Sequence, residues 1–519
     1  MREQQQNKVQ QAIFVSLAAG YHFDKEAFNL LTALSKTEDP VKLVEVTLKR
    51  LASLEEKSSV ISKDFLEATA KESLSEIVET PQPSIPFMQE PVIPTKKSKR
   101  AQYPHAKDIQ TDLKVLEDPT DKICAIGSIE GYLEYFQDRF NRVRKLLRQR
   151  MDSRNAMSIR GAFQVAPKAK VKIFCMVTDM RESKYGIFWR IEDLETSATA
   201  LIPQNASQGL LEKAKSLLPD QVVCLSLSKS RKNLLIVEDI FFPDIPQKKL
   251  HGADEEIYVA LISDLHIGSK EFMREEFNRF LLWLNGKYGD GKLKEIASLV
   301  KYVLVAGDVV DGIGIYPNQI KELTIHDVFK QYELAAKFIE QIPDYIELVI
   351  IPGNHDASRK ALPQPAIPKE YAEPLYETRS ILSLGNPTSV SIHGVEFLIY
   401  HGRSLDDVLA TAAGMDYHSP ENAMRLLLQG RHLAPTYGQR TSIAPEKRDW
   451  LVIDHVPDVF HAGHVHVMKH EFYRGTLMVN SGAWQKQTSY QKNLGLEPTP
   501  GIIPVVNLQT LSVIPIDFS

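Results

Sequence analysis

The chain has 519 residues, of which 43% are hydrophobic and 25% charged, and its formal net charge is −4. These proportions are ordinary for a globular protein, and the length requires more than one hydrophobic core. No apolar run approaches the roughly 18 residues that a membrane-spanning helix needs. The N-terminus is polar and rich in glutamine, so no signal peptide is expected, and three widely spaced cysteines fit a reduced, cytoplasmic setting.

The first 118 residues predict a small helical module followed by a linker. Apolar residues recur at helical spacing within residues 1–75, as in Phe28, Leu31 and Leu34. Residues 76–118 carry six prolines among polar residues, a composition typical of a flexible tether. A module on such a tether is expected to recruit a partner other than the one that the main body binds.

Residues 119–159 predict a basic helical lead-in. Phe140, Val143 and Leu147 recur at helical spacing, and the segment from Arg139 to Lys172 contains eleven Lys or Arg residues against one acidic residue. Two interpretations stay open: a solvated helix face that packs through one apolar stripe, or a surface that contacts nucleic-acid phosphates. The basic residues that the second interpretation would use are Arg142, Arg144, Lys145 and Arg148.

Residues 160–245 contain five strand-like runs, with a helix-like stretch at 210–217 between the third and the fourth. This order is the pattern of an OB-fold, a small β-barrel. The runs lie at 171–178, 186–191, 198–202, 222–227 and 233–241. OB-folds bind single-stranded nucleic acid or serve as protein interfaces, and the scarcity of aromatic residues favours the interface role.

Five short motifs in the last domain, residues 255–519, each follow an apolar run. They are Ser-Asp-Leu-His (263–266), Gly-Asp-Val-Val-Asp (307–311), Gly-Asn-His-Asp (353–356), Tyr-His-Gly (400–402) and Gly-His-Val-His (463–466). The runs, at 257–262, 302–306, 348–351, 397–399 and 456–460, predict buried strands. Strand ends in open α/β folds carry the chemistry, so we expect these motifs to meet at one edge of a sheet.

Imidazole and carboxylate groups in this pattern indicate a two-metal phosphoesterase. Two divalent ions about 3.5–4 Å apart can clamp both the attacking and the leaving oxygen of a phosphodiester. One such motif alone has an ordinary structural explanation, but five in this order favour a metal site, with Asp308 as the best bridging ligand. The residues expected in the pocket are Asp264, His266, Asp308, Asn354, His355, His401, His464 and His466.

The motifs resemble the calcineurin-like metallophosphoesterase superfamily, especially its branch containing the double-strand-break-repair nuclease. Together with Tyr-His-Gly-Arg-Ser-Leu-Asp-Asp (400–407), Val-Asn-Ser-Gly-Ala-Trp-Gln (479–485) and Pro-Thr-Pro-Gly-Ile-Ile-Pro-Val-Val (498–506), they resemble the small subunits of the archaeal D-family DNA polymerase, or DNA polymerase II. The similarity runs from about residue 120 to the C-terminus. It implies a proofreading 3′-to-5′ exonuclease, with synthesis performed by a separate large catalytic subunit.

The resemblance also implies roles for individual residues. One metal would be held by Asp264, His266, Asp308 and His466, and a second by Asp308, Asn354, His401 and His464. His355 would stabilise the transition state or donate a proton. Asp311 and Asp356 are predicted to hydrogen-bond either a histidine or a bound water behind the ligands, and Arg403 either to line the DNA path or to brace its loop. Manganese is the expected metal, with magnesium, iron or zinc as alternatives.

The predicted fold is therefore a multidomain α/β protein, in which a two-sheet α/β sandwich phosphoesterase domain follows an OB-fold barrel and a small N-terminal helical module. The expected partners are the large polymerase subunit, DNA with single-stranded or mismatched 3′ ends and, through the N-terminal module, other replication factors, but no membrane. Two alternatives stay open. The complete ligand set opposes a non-catalytic scaffold subunit, and the barrel with its basic lead-in opposes a small-molecule phosphodiesterase.

Overall fold

The computed structural model describes residues 104–230, 234–493 and 495–519, together with parts of the segment 12–69. The chain divides into two compact units, Met1–Ser98 and Lys99–Ser519. In the first unit, helix α1 (Lys25–Leu34) lies near a parallel pair of short strands, β1 (His22–Phe23) and β2 (Val60–Ile61). Most of the predicted helical module, and the predicted linker up to residue 103, lie outside the described residues.

The first strand of the second unit is one that the sequence pattern missed. Strand β3 (Leu113–Glu117) pairs antiparallel with Thr388–Ile392 in a six-stranded sheet. The predicted linker at 76–118 therefore extends too far, because its last residues belong to this sheet. The strand is short, and Val115 and Leu116 are both more than two-fifths exposed, so no alternation of buried and exposed residues marked it.

Helix α2 (Ile129–Gln149) forms the core of the lead-in, and the short helix α3 (Ile159–Gln164) follows it. Ser128 caps α2 by accepting a hydrogen bond from the Gly131 N–H at 3.0 Å. The predicted apolar stripe is observed: Phe140, Val143 and Leu147 pack against strands of the neighbouring barrel. This packing fixes which face of α2 remains open to solvent.

Five strands form a closed barrel in the order β4-β5-β6-β8-β7. They are β4 (Lys170–Ser183), β5 (Gly186–Glu192), β6 (Ser197–Pro203), β7 (Gln221–Lys229) and β8 (Leu235–Phe241). Each overlaps one predicted run, β4 extending to Ser183 beyond the run at 171–178, and helix α4 (Gln208–Ser216) lies between the third and fourth strands as predicted. The assignment of this barrel as an OB-fold stays a prediction.

Two further sheets form the rest of the unit. The first has the order β12-β11-β10-β9-β18-β19, with parallel pairs from β9 to β12 and antiparallel pairs at β18 and β19. Its strands are β9 (Tyr258–Ile262), β10 (Val300–Ala306), β11 (Glu347–Ile351), β12 (Leu382–Ser383), β18 (Ile502–Asn507) and β19 (Val513–Asp517).

The second sheet has the order β16-β17-β15-β14-β13-β3. Besides β3, its strands are β13 (Thr388–Ile392), β14 (Val395–Tyr400), β15 (Val459–Ala462), β16 (Lys469–Tyr473) and β17 (Thr476–Asn480). Strands β14, β15 and β17 are mutually parallel. Every residue of the short central strand β15 is buried, as expected for a strand covered on both faces.

The two sheets pack face to face between layers of helices. A core of side chains from both sheets, including Leu261, Leu304 and Phe397, lies between them. Four helices cover the first sheet: α5 (Arg274–Leu284), α6 (Gly291–Leu299), α7 (Val328–Ile339) and α8 (Lys369–Thr378). The second sheet is covered by α9 (Leu405–Thr411) and α10 (Pro420–Gly430), and α11 (Ser489–Asn493) follows later in the chain.

This arrangement corrects one expectation from the sequence. The five motif-bearing strands do not share one sheet: β9, β10 and β11 belong to the first, and β14 and β15 to the second. Sheet membership depends on which strands pair over long distances along the chain, and apolar runs carry no information on that pairing. Among the described residues, no helix is long and apolar enough to cross a membrane.

Candidate metal centre

The predicted site residues lie just after the carboxyl ends of strands from both sheets. Asp264 and His266 follow β9, Asp308 follows β10, Asn354 and His355 follow β11, His401 follows β14, and His464 and His466 follow β15. A cavity of about 360 Å³ opens there, as is usual for ligand sites at such an edge. Predicted site residues that line it are His266, Asp308, Asp311, Asn354, His355, Arg403, His464 and His466.

Left-handed backbone turns deliver most of the candidate ligands. The φ angles are +53° at Asp264, +51° at His266, +53° at Asp308, +68° at His464 and +63° at His466. Residues other than glycine rarely adopt positive φ angles, and those that do cluster at functional sites. The turns re-aim each side chain immediately after its strand, which an extended backbone would not do.

Glycines beside the ligands leave room for this close approach. A Cβ on Gly353 would lie 2.1 Å from Asp308 Oδ1, and one on Gly463 would lie 2.5 Å from Asp264 Oδ2. Gly307 has a φ of +92°, and a Cβ there would lie 2.8 Å from His401 Nδ1. The motif glycines are therefore required by the space around the site.

One group of ligand atoms converges around Asp264. The Nε2 atoms of His266 and His466 are 3.1 Å apart, and Asp264 Oδ1 lies 3.4 Å from His466 Nε2 and 3.9 Å from His266 Nε2. All three side chains are buried. Asp264 Oδ2 is held by Ser263 and by the His464 N–H at 2.9 Å, whereas Oδ1 has no hydrogen-bond partner among the described residues.

A second group converges around Asp308. Its Oδ2 atom lies 3.4 Å from His401 Nε2, and His401 Nε2 lies 3.0 Å from Asn354 Oδ1. The other predicted ligand, His464, directs Nε2 to within 3.2 Å of Asp406 Oδ2 and 3.4 Å of an Arg403 nitrogen. Asp308 Oδ2 is also 3.8 Å from His266 Nε2, so this carboxylate lies between the two groups.

Hydrogen bonds at Nδ1, on the side of the ring away from the other candidate ligands, orient two of the imidazole rings. His266 Nδ1–H donates to Asp311 Oδ1 at 2.9 Å, and His401 Nδ1–H donates to the Ala306 carbonyl at 2.8 Å. Each bond leaves the Nε2 atom directed toward the other candidate ligands, the orientation that a metal-binding histidine requires. His466 Nδ1 lies 3.0 Å from the Gln491 amide.

The two aspartates predicted to lie behind the ligands differ in their contacts. Asp311 contacts His266 as expected and also accepts hydrogen bonds from Gln319 at 3.0 Å and Gln485 at 3.2 Å. Asp356 instead accepts backbone N–H groups, from Gly353 at 2.9 Å and from residues 309 and 310, and the Tyr332 hydroxyl at 3.1 Å. It therefore holds two motif loops together, and of the two predicted partners, a histidine or a bound water, the histidine is not among the bonds of Asp356 to described residues.

His355 presents its ring to the cavity between these groups. Its Nδ1–H donates to the Asp311 carbonyl at 2.8 Å, which leaves Nε2 facing the cavity, 4.0 Å from Asp308 Oδ2. Its backbone N–H donates to Asp308 Oδ1 at 2.7 Å. Burial lowers the pKa of His355 to about 4.

The site is electronegative. Burial opposes charge on Asp264, yet His466 beside it holds the pKa of this carboxyl below its usual range. Burial also disfavours the charged form of His266, but Asp311 and Asp308 outweigh it and raise the pKa of this imidazole to about 9. The pKa of His401, beside Asp308, rises to about 9 for the same reason. Buried carboxylates thus draw positive charge into the pocket.

The residues present fit divalent metal ions. Three sets of side chains bring ligand atoms within 4.8 Å of one another: Asp264 with His266 and His466, Asp308 with His401 and His464, and His266 with Asp311 and His355. The buried Oδ1 of Asp264 lacks a partner among the described residues, which is costly unless a cation binds it. Nitrogen and oxygen donors together suit manganese, iron or zinc.

The predicted DNA-contacting residues lie in two places. Arg403 lines the cavity, with Nη1 3.3 Å from Asp406 Oδ2. The other four are on α2: Lys145 and Arg148 are exposed, Arg144 is half-buried, and Arg142 is held by Asp454 and, at 3.3 Å, by Asp138. Ion pairing thus leaves Arg142 less suited to phosphate contact than its neighbours.

Sequence reasoning missed several residues that line or brace the cavity. Arg440, Gln485 and Gln491 line it, and Gln319 holds Asp311 from behind. Gln485 belongs to the tail segment at 479–485, so its motif was visible even though its role was not. The other glutamines follow no spacing that would indicate a site.

Comparison with known proteins shows which family the chain belongs to. Residues 259–469 match the family model of the B subunits of DNA polymerases alpha and epsilon. The DNA polymerase II small subunit of Methanothermobacter thermautotrophicus is 42% identical over 401 residues, covering 76% of this chain and 81% of that protein. The Halobacterium salinarum protein of the same name is 34% identical over 504 residues, covering 95% and 96%. The chain belongs to the family of DNA polymerase II small subunits.

The relative from Pyrococcus furiosus is 41% identical over 394 residues, and the chain spans 64% of its length, slightly less than two thirds. Among solved structures, an archaeal phosphodiesterase aligns with 50% of this chain and 99% of its own at 16% identity. The TM-score of that alignment is 0.26, too low to define a shared fold.

Proposed function

We propose that this chain is the proofreading subunit of a two-subunit DNA polymerase and that it removes mismatched 3′-terminal nucleotides by metal-dependent hydrolysis. The observation that carries the proposal is the convergence on Asp308. Its Oδ2 atom lies 3.4 Å from His401 Nε2, 3.8 Å from His266 Nε2 and 4.0 Å from His355 Nε2. A buried carboxylate among three imidazoles is suited to bridging two cations.

Two divalent ions, manganese first, would supply Lewis-acid activation of water and neutralise the charge that develops on the phosphate. One would be held by Asp264, His266, Asp308 and His466, and the other by Asp308, Asn354, His401 and His464. His355 directs Nε2 into the cavity, where it can hydrogen-bond an oxygen of the scissile phosphate or of the leaving group. Arg403 and Arg440 line the same cavity and can orient the anionic substrate.

The partner follows from family membership. Relatives are named as small subunits of DNA polymerase II, so a large subunit that performs synthesis is the proposed partner. DNA with a frayed or mismatched 3′ end is the proposed substrate, and the cytoplasm the proposed location. A nuclease that acts beside a polymerase would receive the primer end whenever a mismatch prevents extension.

The test is degradation of a 3′-mismatched primer with and without Mn²⁺, by the wild type and by Asp308→Asn. This substitution retains an oxygen that can accept the His355 N–H but removes the central charge. We expect activity to fall to background while the thermal melt stays cooperative. Asp458→Asn, a buried carboxylate paired with Lys248 outside the site, is the matched control and should retain activity.

The two alternatives make different predictions in the same assay. A scaffold subunit would leave the primer intact under every metal condition, although it would still assemble with the large subunit. A small-molecule phosphodiesterase would cleave bis(p-nitrophenyl) phosphate but leave the primer intact. Full activity of a folded Asp308→Asn protein would contradict the bridging role.

A further inference from the structure

A second groove opens beside the candidate metal centre. Its volume is about 450 Å³, and Ile315 and His355 line both this groove and the cavity of the centre. Tyr371 of α8 and Val328 of α7 also line it. Because His355 lines both spaces, an extended ligand that enters the metal centre can continue into the groove.

An aromatic pair reaches this groove through Tyr371, which lines it and is half-buried, while the exposed Phe329 packs on Tyr371. Phe329 stacks on Tyr371 with ring centres 5.6 Å apart and an interplanar angle of 25°. Phe329 is 50% exposed, and Ile313, which lines the groove, is 41% exposed. Aromatic faces open to solvent are the platforms on which unpaired bases stack.

A positive charge accompanies the aromatic pair. Lys360 lines the groove, and its Nζ donates to the Asn354 carbonyl at 2.6 Å and the Asp356 carbonyl at 3.2 Å. No carboxylate pairs with this ammonium within the described part of the chain, whereas the neighbouring Arg359 is paired with Glu446 at 2.8 Å. Lys360 therefore keeps a charge that can attract a phosphate.

We propose that this groove holds the nucleotides of single-stranded DNA next to the scissile phosphate, with the Phe329–Tyr371 pair as the stacking platform. The inference rests on the proposed nuclease function, for which it defines how the strand is bound. Stacking needs an open base face, so the groove selects unpaired ends over duplex. A mismatched terminus, which frays easily, offers such a face.

Fluorescence anisotropy of the full chain with a labelled ten-nucleotide oligothymidylate, in EDTA, tests the proposal without catalysis. Phe329→Ala should weaken binding roughly 5- to 150-fold, the equivalent of the ~1–3 kcal/mol that one stacked base contributes. Phe472→Ala removes an aromatic ring of similar exposure, 44%, from β16 and should leave the affinity unchanged. A blunt duplex should bind the wild type and Phe329→Ala equally.

A second variant keeps the proposal testable if Phe329→Ala fails to fold. Ile313→Glu adds a carboxylate to an exposed position without removing buried packing, and it should weaken binding by repelling phosphate. A 5-iodouracil oligonucleotide should photocrosslink to peptides that contain Phe329 or Tyr371. Wild-type affinity in both variants, or crosslinks only elsewhere, would overturn the proposal.

Two outcomes separate this inference from the function on which it rests. If the wild type with Mn²⁺ degrades the 3′-mismatched primer but Phe329→Ala binds oligothymidylate normally, only the groove assignment fails. If the wild type hydrolyses neither the small diester nor the primer, the nuclease function itself fails. Loss of the large subunit from Phe329→Ala during purification, with DNA affinity intact, would reassign the groove to a protein partner.

Discussion

Side chains of the candidate centre divide into those that would bind cations and those that orient them. Asp264 and Asp308 bring buried charge, whereas Asp311 holds the His266 ring and is itself held by Gln319 and Gln485. His355 belongs to neither set, since its Nδ1 is fixed by a carbonyl and its Nε2 faces open space. The role of His355 can therefore be tested separately from metal binding.

His355→Ala should leave metal binding largely intact and lower the rate of primer degradation by roughly 10²–10⁴-fold, the usual contribution of a positioned acid or base. The other imidazoles that converge on the carboxylates remain in place. Isothermal titration with Mn²⁺ measures occupancy, and primer degradation measures rate. Loss of one metal equivalent would show that His355 is a ligand.

The sequence was most informative at the scale of residues. All eight residues expected in the pocket gather around the edge where the two sheets meet, because motif residues placed directly after strands have little freedom in where they point. The orienting glutamines were not foreseen. A glutamine can satisfy its amide in many ways, and only the tertiary structure selects Asp311 or His466 as its partner.

Among the elements, the loops after the strands are packed so tightly that one methyl group matters. Gly353→Ala would place a Cβ 2.1 Å from Asp308 Oδ1, although the backbone there is accessible to alanine. Displacing the carboxylate by about 1 Å should cost on the order of 100-fold in activity.

Initial rates at saturating Mn²⁺ check this expectation. Gly291→Ala at the start of α6 is the control, because a Cβ there meets nothing within 4 Å. Equal rates for the two variants would show that the Asp308 loop tolerates the shift.

Helix α2 is attached to the C-terminal domain by a buried ionic cluster. Arg139 Nε pairs with Asp449 Oδ2 at 2.8 Å, and its other nitrogens donate to the Pro435 carbonyl at 2.7 Å and the Tyr135 hydroxyl at 3.0 Å. His432 Nε2–H donates to the same Asp449 oxygen at 2.8 Å, while its Nδ1 accepts the Ala434 N–H. Of the basic run, Arg139 is therefore unavailable to nucleic acid.

This cluster predicts a pH-dependent stability. Burial, together with nearby Arg139, lowers the pKa of His432 to about 4 against an ordinary value of 6.5. The unfolded chain therefore binds this proton more readily. The resulting stability is complete above pH 6.5 and is lost as the pH falls toward 4, by about 2 kcal/mol between pH 7 and pH 5.

Urea denaturation at both pH values should show a smaller loss of unfolding free energy for His432→Gln than for the wild type. The comparison isolates His432 because other buried histidines titrate in both proteins. Equal losses would mean that His432 is charged in the folded state.

Elements were predicted well where burial was strong. The barrel strands and helix α4 overlap their predicted runs, although β4 continues five residues beyond the run at 171–178. Strand β3 was missed, since its pairing with β13 depends on residues more than 270 positions away, as in the Thr388 bond to the Glu117 carbonyl. Long-range pairing of this kind also divided the motif strands between two sheets.

At the scale of the molecule, the chain forms two compact units with a boundary after Ser98. The proposed chemistry lies wholly in the second unit. Deleting residues 1–98 should therefore spare both primer degradation and association with the large subunit. Co-purification of the truncated chain with a tagged large subunit tests the second expectation, and a failed pull-down from a folded truncation would place the N-terminal unit in the polymerase interface.

Domain order could be predicted from composition and motif positions, but not the junctions within the second unit. The contacts of α2 with the barrel and with Asp449 depend on side chains far apart in the chain. Local periodicity identifies an apolar stripe without identifying the surface that it meets. The role of the N-terminal module stays a prediction, because most of it lies outside the described residues.

The division of the candidate ligands between two sheets has a consequence for biosynthesis. His266 and His466 meet although they lie 200 positions apart in the sequence, so their contact is long-range. Contacts between residues so far apart in the sequence form late in folding, because the long loop between the residues must close first. Under the proposed function, a nascent or half-folded chain cannot assemble the centre, and hydrolysis of DNA begins only when both sheets have docked. Cation binding would in turn stabilise only the fully folded state, because only that state contains the complete site.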